Sequence, residues 1–456
     1  MAFRWTVHGE GRALAPGEVV RPDERLSWPR TLGFGAQHVI AMFGATFVFP
    51  LVMGLDPNLA IMMSGVATIL FLLIVQGKVP SYLGTSASFV GAVAAIRAAG
   101  GDDGRVTGAI LVAGVVLAAV GVAVHFLGVQ IIHKVFPPVV TGAVVMLIGF
   151  GLAYVVADIY WPQDHWIALV TMIATGLFLV IFKGFLGRIG ILLGLIFGFA
   201  LSWVVDKIWG NITALNAGTG QIDTHPRVNF DAVSSANLFG LPSFHAPSFQ
   251  ASAAILVLPA VIALIAENVG HVKAVGEMTG TDVDPLMGRA IIGDGVGTAL
   301  ASAVGGSPTT TYAENIGVMA ATRVYSTAAY YIAALVAILF GFSPKFGALV
   351  AATPGGVLGG VTVILYGMIG LLGAKIWIEN RVDFSDPVNM VPIGAGIILA
   401  VGPVTHQITG DFSLAGITLG TIVVLGGYHL LRAMARRPDK EVSGGEIGFE
   451  RDAAAG

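Results

Sequence analysis

Apolar stretches of about 16–24 residues recur along the chain, each close to the length that crosses a bilayer about 30 Å thick. They fall near 32–55, 59–76, 84–99, 107–128, 138–157, 165–182 and 188–205. After a polar stretch they resume near 250–270, 286–304, 308–321, 325–342, 354–373, 388–403 and 412–432. Seven segments, a polar region and seven more predict an all-α polytopic membrane protein with 14 transmembrane segments. The first 31 residues are polar, hold five arginines and lack an apolar h-region, which argues against a cleaved signal peptide.

Charge placement tests that count. With the N-terminus in the cytoplasm and alternating segments, the outer side receives only Arg97, Arg105, Lys207, Arg227 and Lys345 of the 24 lysines and arginines. The other 19 fall inside, as the positive-inside rule expects. A missed or extra segment would invert every later loop and spoil the asymmetry. Both termini are therefore expected inside, with 209–249 as a structured loop outside and 434–456 as a short cytoplasmic tail.

Composition narrows the class. Of 456 residues, 55% are hydrophobic and 11% charged, against about 25% charged in an average soluble domain. Those numbers exclude a soluble fold of this size, a disordered chain, a coiled coil and a nucleic-acid binder. No cysteine means no disulfide framework and no thiolate metal site. Neither a metal-ligand histidine cluster nor a Walker-type phosphate loop is present, so neither a metal centre nor an ATP-driven pump is expected. Glycine, at 62 residues, is about twice its usual share of ~7%.

Segments three and ten break the pattern. The third is entered through Gly77-Lys78-Val79-Pro80-Ser81-Tyr82-Leu83-Gly84-Thr85-Ser86-Ala87-Ser88. The tenth is entered through Gly305-Gly306-Ser307-Pro308-Thr309-Thr310-Thr311-Tyr312-Ala313-Glu314-Asn315. Both combine helix breakers with hydroxyl residues, and both are third in their run of seven. An odd number of segments per half inverts the second half. The pattern therefore predicts a 7+7 inverted repeat with half-helices three and ten at a midplane substrate site. Irregular backbone at membrane depth must be buried in protein or line a cavity, and half-helix N-termini offer unpaired N–H groups. Kinked structural helices are the plain alternative.

Three acids fall inside apolar segments: Glu267, Asp294 and Glu314. A charged carboxylate at the bilayer centre costs about 2.5–3.5 kcal/mol on insertion scales, so each needs a cavity, a partner or a proton. Glu267 and His271 stand at i, i+4 on one helix face, which predicts a hydrogen bond between them. That pair serves either the site or the helix end. Glu314 starts half-helix ten, as a ligand-binding acid or as a helix N-terminal acid without ligand. Asp294, between Gly293 and Gly295, is expected to anchor a neighbouring helix. His38, in the first segment, is expected to support the site rather than touch substrate.

Four motifs in order resemble the nucleobase–ascorbate transporter family, also called nucleobase:cation symporter-2. They are Gln37-His38 with Ala41-Met42-Phe43-Gly44-Ala45-Thr46, Val79 to Ser86, Ala266-Glu267-Asn268-Val269-Gly270-His271, and Thr311 to Ala320 with Glu314-Asn315-Ile316-Gly317 leading to Thr322. The resemblance runs from about Asp23 to the last segment. Within the family the chain is similar to bacterial uracil permeases, and to the Rut-type pyrimidine permeases through Pro22-Asp23-Glu24-Arg25-Leu26 and Met53 to Leu59.

The resemblance implies a core domain (32–128 and 250–343) and a gate domain (129–208 and 344–433), with substrate between them. It also implies a cytoplasmic segment 1–31, proton-driven nucleobase import at the bacterial inner membrane, and a homodimer. No cofactor is implied beyond the proton as coupling ion. By motif, Glu267 matches the substrate-binding glutamate, His271 its partner, and Glu314 the acid beside the substrate. Tyr312 and Ala313 match backbone positions there, and Thr85, Ser86 and Ala87 the entry of half-helix three. Ala45 matches a first-segment residue at the base, and Tyr366 a gate-side tyrosine. The proton is placed on Glu314 or on the Glu267–His271 pair. Uracil offers two N–H donors that ionised carboxylates can accept. Purine-selective relatives usually carry Gln at the position of Glu314. The departure is Ala87, where uracil permeases carry a stacking Phe, so uracil leads but thymine and xanthine stay open.

Two other classes compete with this reading. A sulfate-permease-type anion transporter of the same architecture expects a basic or neutral site and often a soluble C-terminal domain. A membrane enzyme needs a nucleophile–base or metal constellation, and none is present in the sequence.

Overall fold

The computed structural model describes residues 4–435 except 12–13, 15–16, 217–219, 403 and 410–411. The expected tail 434–456 lies almost wholly outside the described residues, with Arg436, Arg437, Lys440 and Arg451; Arg12 lies outside them too. Among the described residues, fourteen helices reach nine residues or more. The first seven are α1 (Trp28–Met53), α2 (Pro57–Ile74), α3 (Val90–Ala98), α4 (Asp103–Leu127), α5 (Pro138–Gly151), α6 (His165–Ile181) and α7 (Gly190–Trp209). The second seven are α8 (Ala251–Thr279), α9 (Met287–Ala303), α10 (Ala313–Thr322), α11 (Thr327–Gly341), α12 (Gly355–Glu379), α13 (Pro387–Val401) and α14 (Gly416–Met434).

Each helix overlaps one predicted segment. By length and apolar composition, eight described helical stretches can cross a membrane, or nine if α11 and the bent helix Pro344–Ala351 count as one. The chain is thus mostly helical and multi-pass, and α3 and α10 are the short exceptions at the third and tenth places. Helix starts follow local chemistry: proline opens α1, α2, α5 and α13. Asp56, Asp164 and Asp386 cap α2, α6 and α13 through their side chains.

Two details depart from the sequence pattern. The apolar stretch 138–157 is not one helix. It breaks after Gly151 and continues as a π turn, Val155–Tyr160, then a 3₁₀ turn, Trp161–Gln163. The all-α expectation also omits short strands. The strand β1 (Leu83–Thr85) precedes α3, and β2 (Thr309–Thr311) precedes α10.

The glycine excess has a location. A Cβ on Gly114 would stand 2.6 Å from the Ala299 nitrogen and 2.9 Å from Gly295 O. A Cβ on Gly121 would stand 2.9 Å from Gly288 O. So α4 and α9 touch backbone to backbone at glycines seven residues apart on each. Backbones also meet where Gly142 and Gly149 of α5 face Gly373 and Gly370 of α12. Helices in lipid gain little from the hydrophobic effect and associate by close packing of small residues.

The N-terminal segment closes one end of the molecule. Thr6–Val7 pairs in parallel with Glu24–Arg25, and Val20 bridges to Val324 just beyond α10. Trp5 Nε1 donates to Thr327 Oγ1 (2.8 Å), which donates to Pro22 O (2.8 Å). This strap links α1 to the α10–α11 turn. Between α7 and α8 the chain forms a hairpin (Ile212–Asn216 with Gln221–His225), a one-turn helix (Asp231–Ser235) and an extended run.

Gly114→Leu forces the α4–α9 contact apart at a cost of about 1–3 kcal/mol. It is expected to lower the detergent thermal midpoint by several degrees, while Gly176→Ala, which meets nothing within 4 Å, leaves it unchanged or raises it. Equal midpoints for the two variants in a thermal-shift series would remove close glycine packing as the reason for the composition.

Candidate functional site

The two broken segments meet. β1 and β2 pair antiparallel, with Leu83 opposite Thr311, Gly84 opposite Thr310 and Thr85 opposite Thr309. Two backbone bonds extend the ladder, Ser86 N to Pro308 O (2.9 Å) and Tyr312 N to Tyr82 O (3.0 Å). Gly77 and Gly305, at φ +69° and +97°, make the turns into the two segments. Because the strands are antiparallel, α3 and α10 leave the ribbon in opposite directions.

Each strand is also satisfied from the helix that begins its hairpin. Thr68 of α2 accepts from Leu83 N (2.9 Å) and donates to Leu83 O (3.4 Å). Thr298 of α9 accepts from Thr309 N (3.1 Å) and donates to Thr309 O (2.8 Å). One hydroxyl serves one residue's N–H and C=O on each side, from the second helix of each run of seven. Nothing in a single apolar segment distinguishes these threonines, and the sequence reading missed them.

Tyr312 locks the ribbon to α1. Its hydroxyl donates to Thr85 O (2.7 Å) and accepts from Thr46 Oγ1 (3.3 Å). Gly84 lets the ring pass, since a Cβ there would stand 2.7 Å from Thr46 Oγ1 and would also strike the Tyr312 ring. Ala45, beside Thr46, is buried in the same apolar cluster. Ser86 is buried and caps the turn Ala87–Phe89 through Ser88 N (3.3 Å), while Ala87 is half-buried. Ala313 is exposed and Glu314 half-buried at the start of α10, whose first amides have no side-chain cap.

The expected Glu267–His271 bond is not among those the structure makes. His271 Nδ1 instead lies 2.9 Å from Thr311 Oγ1. β2 runs beside α8 and offers a hydroxyl at that height, so the histidine braces the ribbon. Glu267, half-buried on α8, lies within electrostatic reach of Glu314 and Asp294, and Tyr312 is near both glutamates. Among the described residues, none of the three acids has an ion-pair partner. Nor does another residue donate a hydrogen bond to Glu267 or Glu314.

The remaining candidates divide into scaffold and far wall. Asp294 is fully buried and accepts from Asn268 Nδ2 (3.0 Å) and Thr310 Oγ1 (3.2 Å), tying α9 to α8 and β2. His38 packs on the Tyr330 ring at 4.2 Å, and its carbonyl accepts from Asn315 Nδ2 (3.0 Å), tying α1 to α10. Both glutamates are followed by a buried asparagine, Asn268 and Asn315. This repeated Glu-Asn pair is a sequence signal for acids that face a site while the next residue grips the scaffold. Tyr366 does not join the ribbon's hydrogen bonds. It is buried on α12 near Tyr154 and Tyr160, with no hydrogen-bond partner for its hydroxyl.

Residues 29–409 match the xanthine/uracil permease model, described as a permease family. The chain is 44% identical over 436 residues to the putative pyrimidine permease RutG of Escherichia coli (strain K12), covering 94% of this chain and 95% of that protein. It is 34% identical over 418 residues to the uracil permease of Bacillus subtilis (strain 168), covering 87% and 91%. Among solved structures it resembles murine Slc26a9 in the inward-facing state, with a TM-score of 0.62 at 12% identity over 91% of this chain and 70% of that one. It also resembles the transmembrane domain of the cyanobacterial bicarbonate transporter BicA, with a TM-score of 0.54 at 17% identity over 88% and 96%. Those two likenesses concern the fold alone. The family match and the two permeases show the family: the chain belongs to the xanthine/uracil permease family, the nucleobase–ascorbate transporters, and is a transporter rather than an enzyme.

Proposed function

We propose that this chain imports a nucleobase, uracil foremost, by proton symport with alternating access across the bacterial inner membrane. The observation that carries this is the pair Glu267 and Glu314: two half-buried acids with no cation and no donor from another residue, beside a helix N-terminus without a side-chain cap. A pyrimidine supplies what the pair lacks. Its two ring N–H groups donate to the carboxylates, and its carbonyls accept from half-helix amides. The two relatives above, a putative pyrimidine permease and a uracil permease, support the same substrate class.

The proposed architecture is the 14-span 7+7 inverted repeat with both termini in the cytoplasm. The matched roles of Thr68 and Thr298 support it, since they occupy equivalent helices of the two halves. Residues 32–128 and 250–343 form the core, and 129–208 and 344–433 the gate. Segment 1–31 and tail 434–456 are cytoplasmic, 209–249 lies outside, and two chains form a homodimer. Substrate and proton enter from outside, core and gate move as rigid bodies, and an acid (Glu314 or Glu267) releases the proton inside. His271 acts in coupling through the ribbon, by way of Thr311. Thr85, Ser86, Ala87, Tyr312 and Ala313 bound the site from the core, Ala45 its base and Tyr366 the gate side. Asp294 and His38 support it. An anion transporter of the sulfate-permease type shares the fold with the two solved structures, but two acids without cations disfavour an anionic substrate.

In proteoliposomes, an inward proton gradient is expected to accelerate labelled-uracil uptake, and uptake indifferent to pH would count against proton coupling. Glu267→Gln removes one charge-assisted bond, about 1.5–3 kcal/mol, so uracil should bind about tenfold to a hundredfold more weakly. Binding equal to the unaltered protein would sink the site assignment. Ala87→Phe should reduce competition by thymine and xanthine while uracil uptake persists. Unchanged competition would mean that Ala87 does not border the ring.

A further inference from the structure

The chain between α7 and α8 is fastened at both ends, to different parts of the molecule. At its first end, Arg227 lies between two carboxylates, with Nε 2.7 Å from Asp164 Oδ2 and Nη1 3.0 Å from Asp206 Oδ1. All three side chains are largely buried. Arg227 Nη1 also donates to Gly210 O (3.1 Å), and Val228 N to Asp206 Oδ2 (3.0 Å). Asp164 Oδ1 caps α6, Asp206 ends α7, and Gly356 at the start of α12 packs on Asp164. One guanidinium thus gathers three helices of the proposed gate.

The second end is laced to the proposed core. Ser243 N donates to Asp56 Oδ2 at the start of α2 (2.9 Å). Ser248 N donates to Gly104 O at the start of α4 (2.8 Å), His245 N to Val304 O beyond α9 (3.2 Å) and Gly240 N to Phe342 O beyond α11 (3.0 Å). Between the anchors lies the one-turn helix Asp231–Ser235. It buries no residue, its first amide is held by the neighbouring Asn229 side chain (Asp231 N to Asn229 Oδ1, 2.7 Å), and a single turn is far below the length that is stable alone. It packs on Pro344–Ala351, the other core–gate crossover on this face. Converting its five residues from about 1.5 Å to about 3.3 Å of rise each would lengthen the connection by about 9 Å.

We propose that residues 228–248 are a tie of adjustable length between core and gate, and that Arg227 is the positioning residue that anchors it. This rests on the alternating-access reading above. With the helix wound, the tie holds the two parts close on this face; unwinding admits a bounded opening. An unanchored or over-long tie lets the gap open past the productive range and slows the return.

The chain has no cysteine, so Arg105→Cys and Trp209→Cys, one on each side of the gap, give a spin-label pair on an otherwise native background. Arg227→Ala, and separately a flexible Gly/Ser insertion after Ser235, should broaden the label distances outward by about 5 Å or more. The same changes should cut the maximal uptake rate about tenfold with uracil Kd within about twofold, and Arg227→Lys should recover part of the rate. Should Arg227→Ala fail to fold, the insertion variant decides alone, because it leaves the clamp intact. Unchanged distances in the insertion variant overturn the tie, as does an equal loss of Kd and rate. The distance measurement needs no substrate. A parent protein that neither binds nor moves uracil would defeat the functional reading while the tie is still decided by the labels.

Discussion

Every polar backbone group away from water needs a partner, and two short buried strands have no helix of their own to supply one. The structure answers by pairing β1 with β2 and filling the outward positions with Thr68 and Thr298. Much else follows from that solution. Tyr312 must cross Gly84 to reach Thr85 O, His271 is turned to Thr311, and Asp294 holds Thr310. Once the ribbon is satisfied from within, Glu267 and Glu314 beside it receive no donor from another residue. A site whose scaffold has met its own hydrogen-bonding needs is free to meet those of a ligand.

The same economy appears in helix packing. α4 meets α9, and α5 meets α12, at glycines that bring backbones together. Each of the two proposed domains therefore contains a contact with little side-chain freedom, as suits bodies that move as units. Between them, Gly44 of α1 packs against Ile191 and Leu192 of α7 and Thr418 of α14 donates to Leu256 O of α8 (3.2 Å), beside two surface crossovers.

Much of the fold was legible in the chain. Apolar lengths placed most helix ends to within six residues, though α8 runs nine residues past its expected end, and Gly/Pro clusters marked the two breaks. Glu267 and Glu314 stood out because charge inside apolar stretches is costly. What escaped notice did so for identifiable reasons. β1 and β2 are far apart in sequence, and neither strand has the alternating pattern that betrays an edge in water. Thr68 and Thr298 matter through partners that no local window contains. His271 sits at the spacing for a bond with Glu267, but a hydroxyl from another segment takes that nitrogen. The π turn after α5 keeps the hydrophobicity of a helix, so composition cannot distinguish it from one.

The long-range pairing also bears on how the chain is made. Leu83 emerges 228 residues before its partner Thr311, and Trp5 waits 322 residues for Thr327. At about 5–20 residues per second, β1 spends roughly 10–45 s without its partner strand during synthesis. Throughout that interval the first half carries an incomplete edge that only the second half can close. The N-terminal strap, which closes on residues beyond α10, can seal only after β2 and α10 have been made, so its docking marks a chain whose start has met its second half.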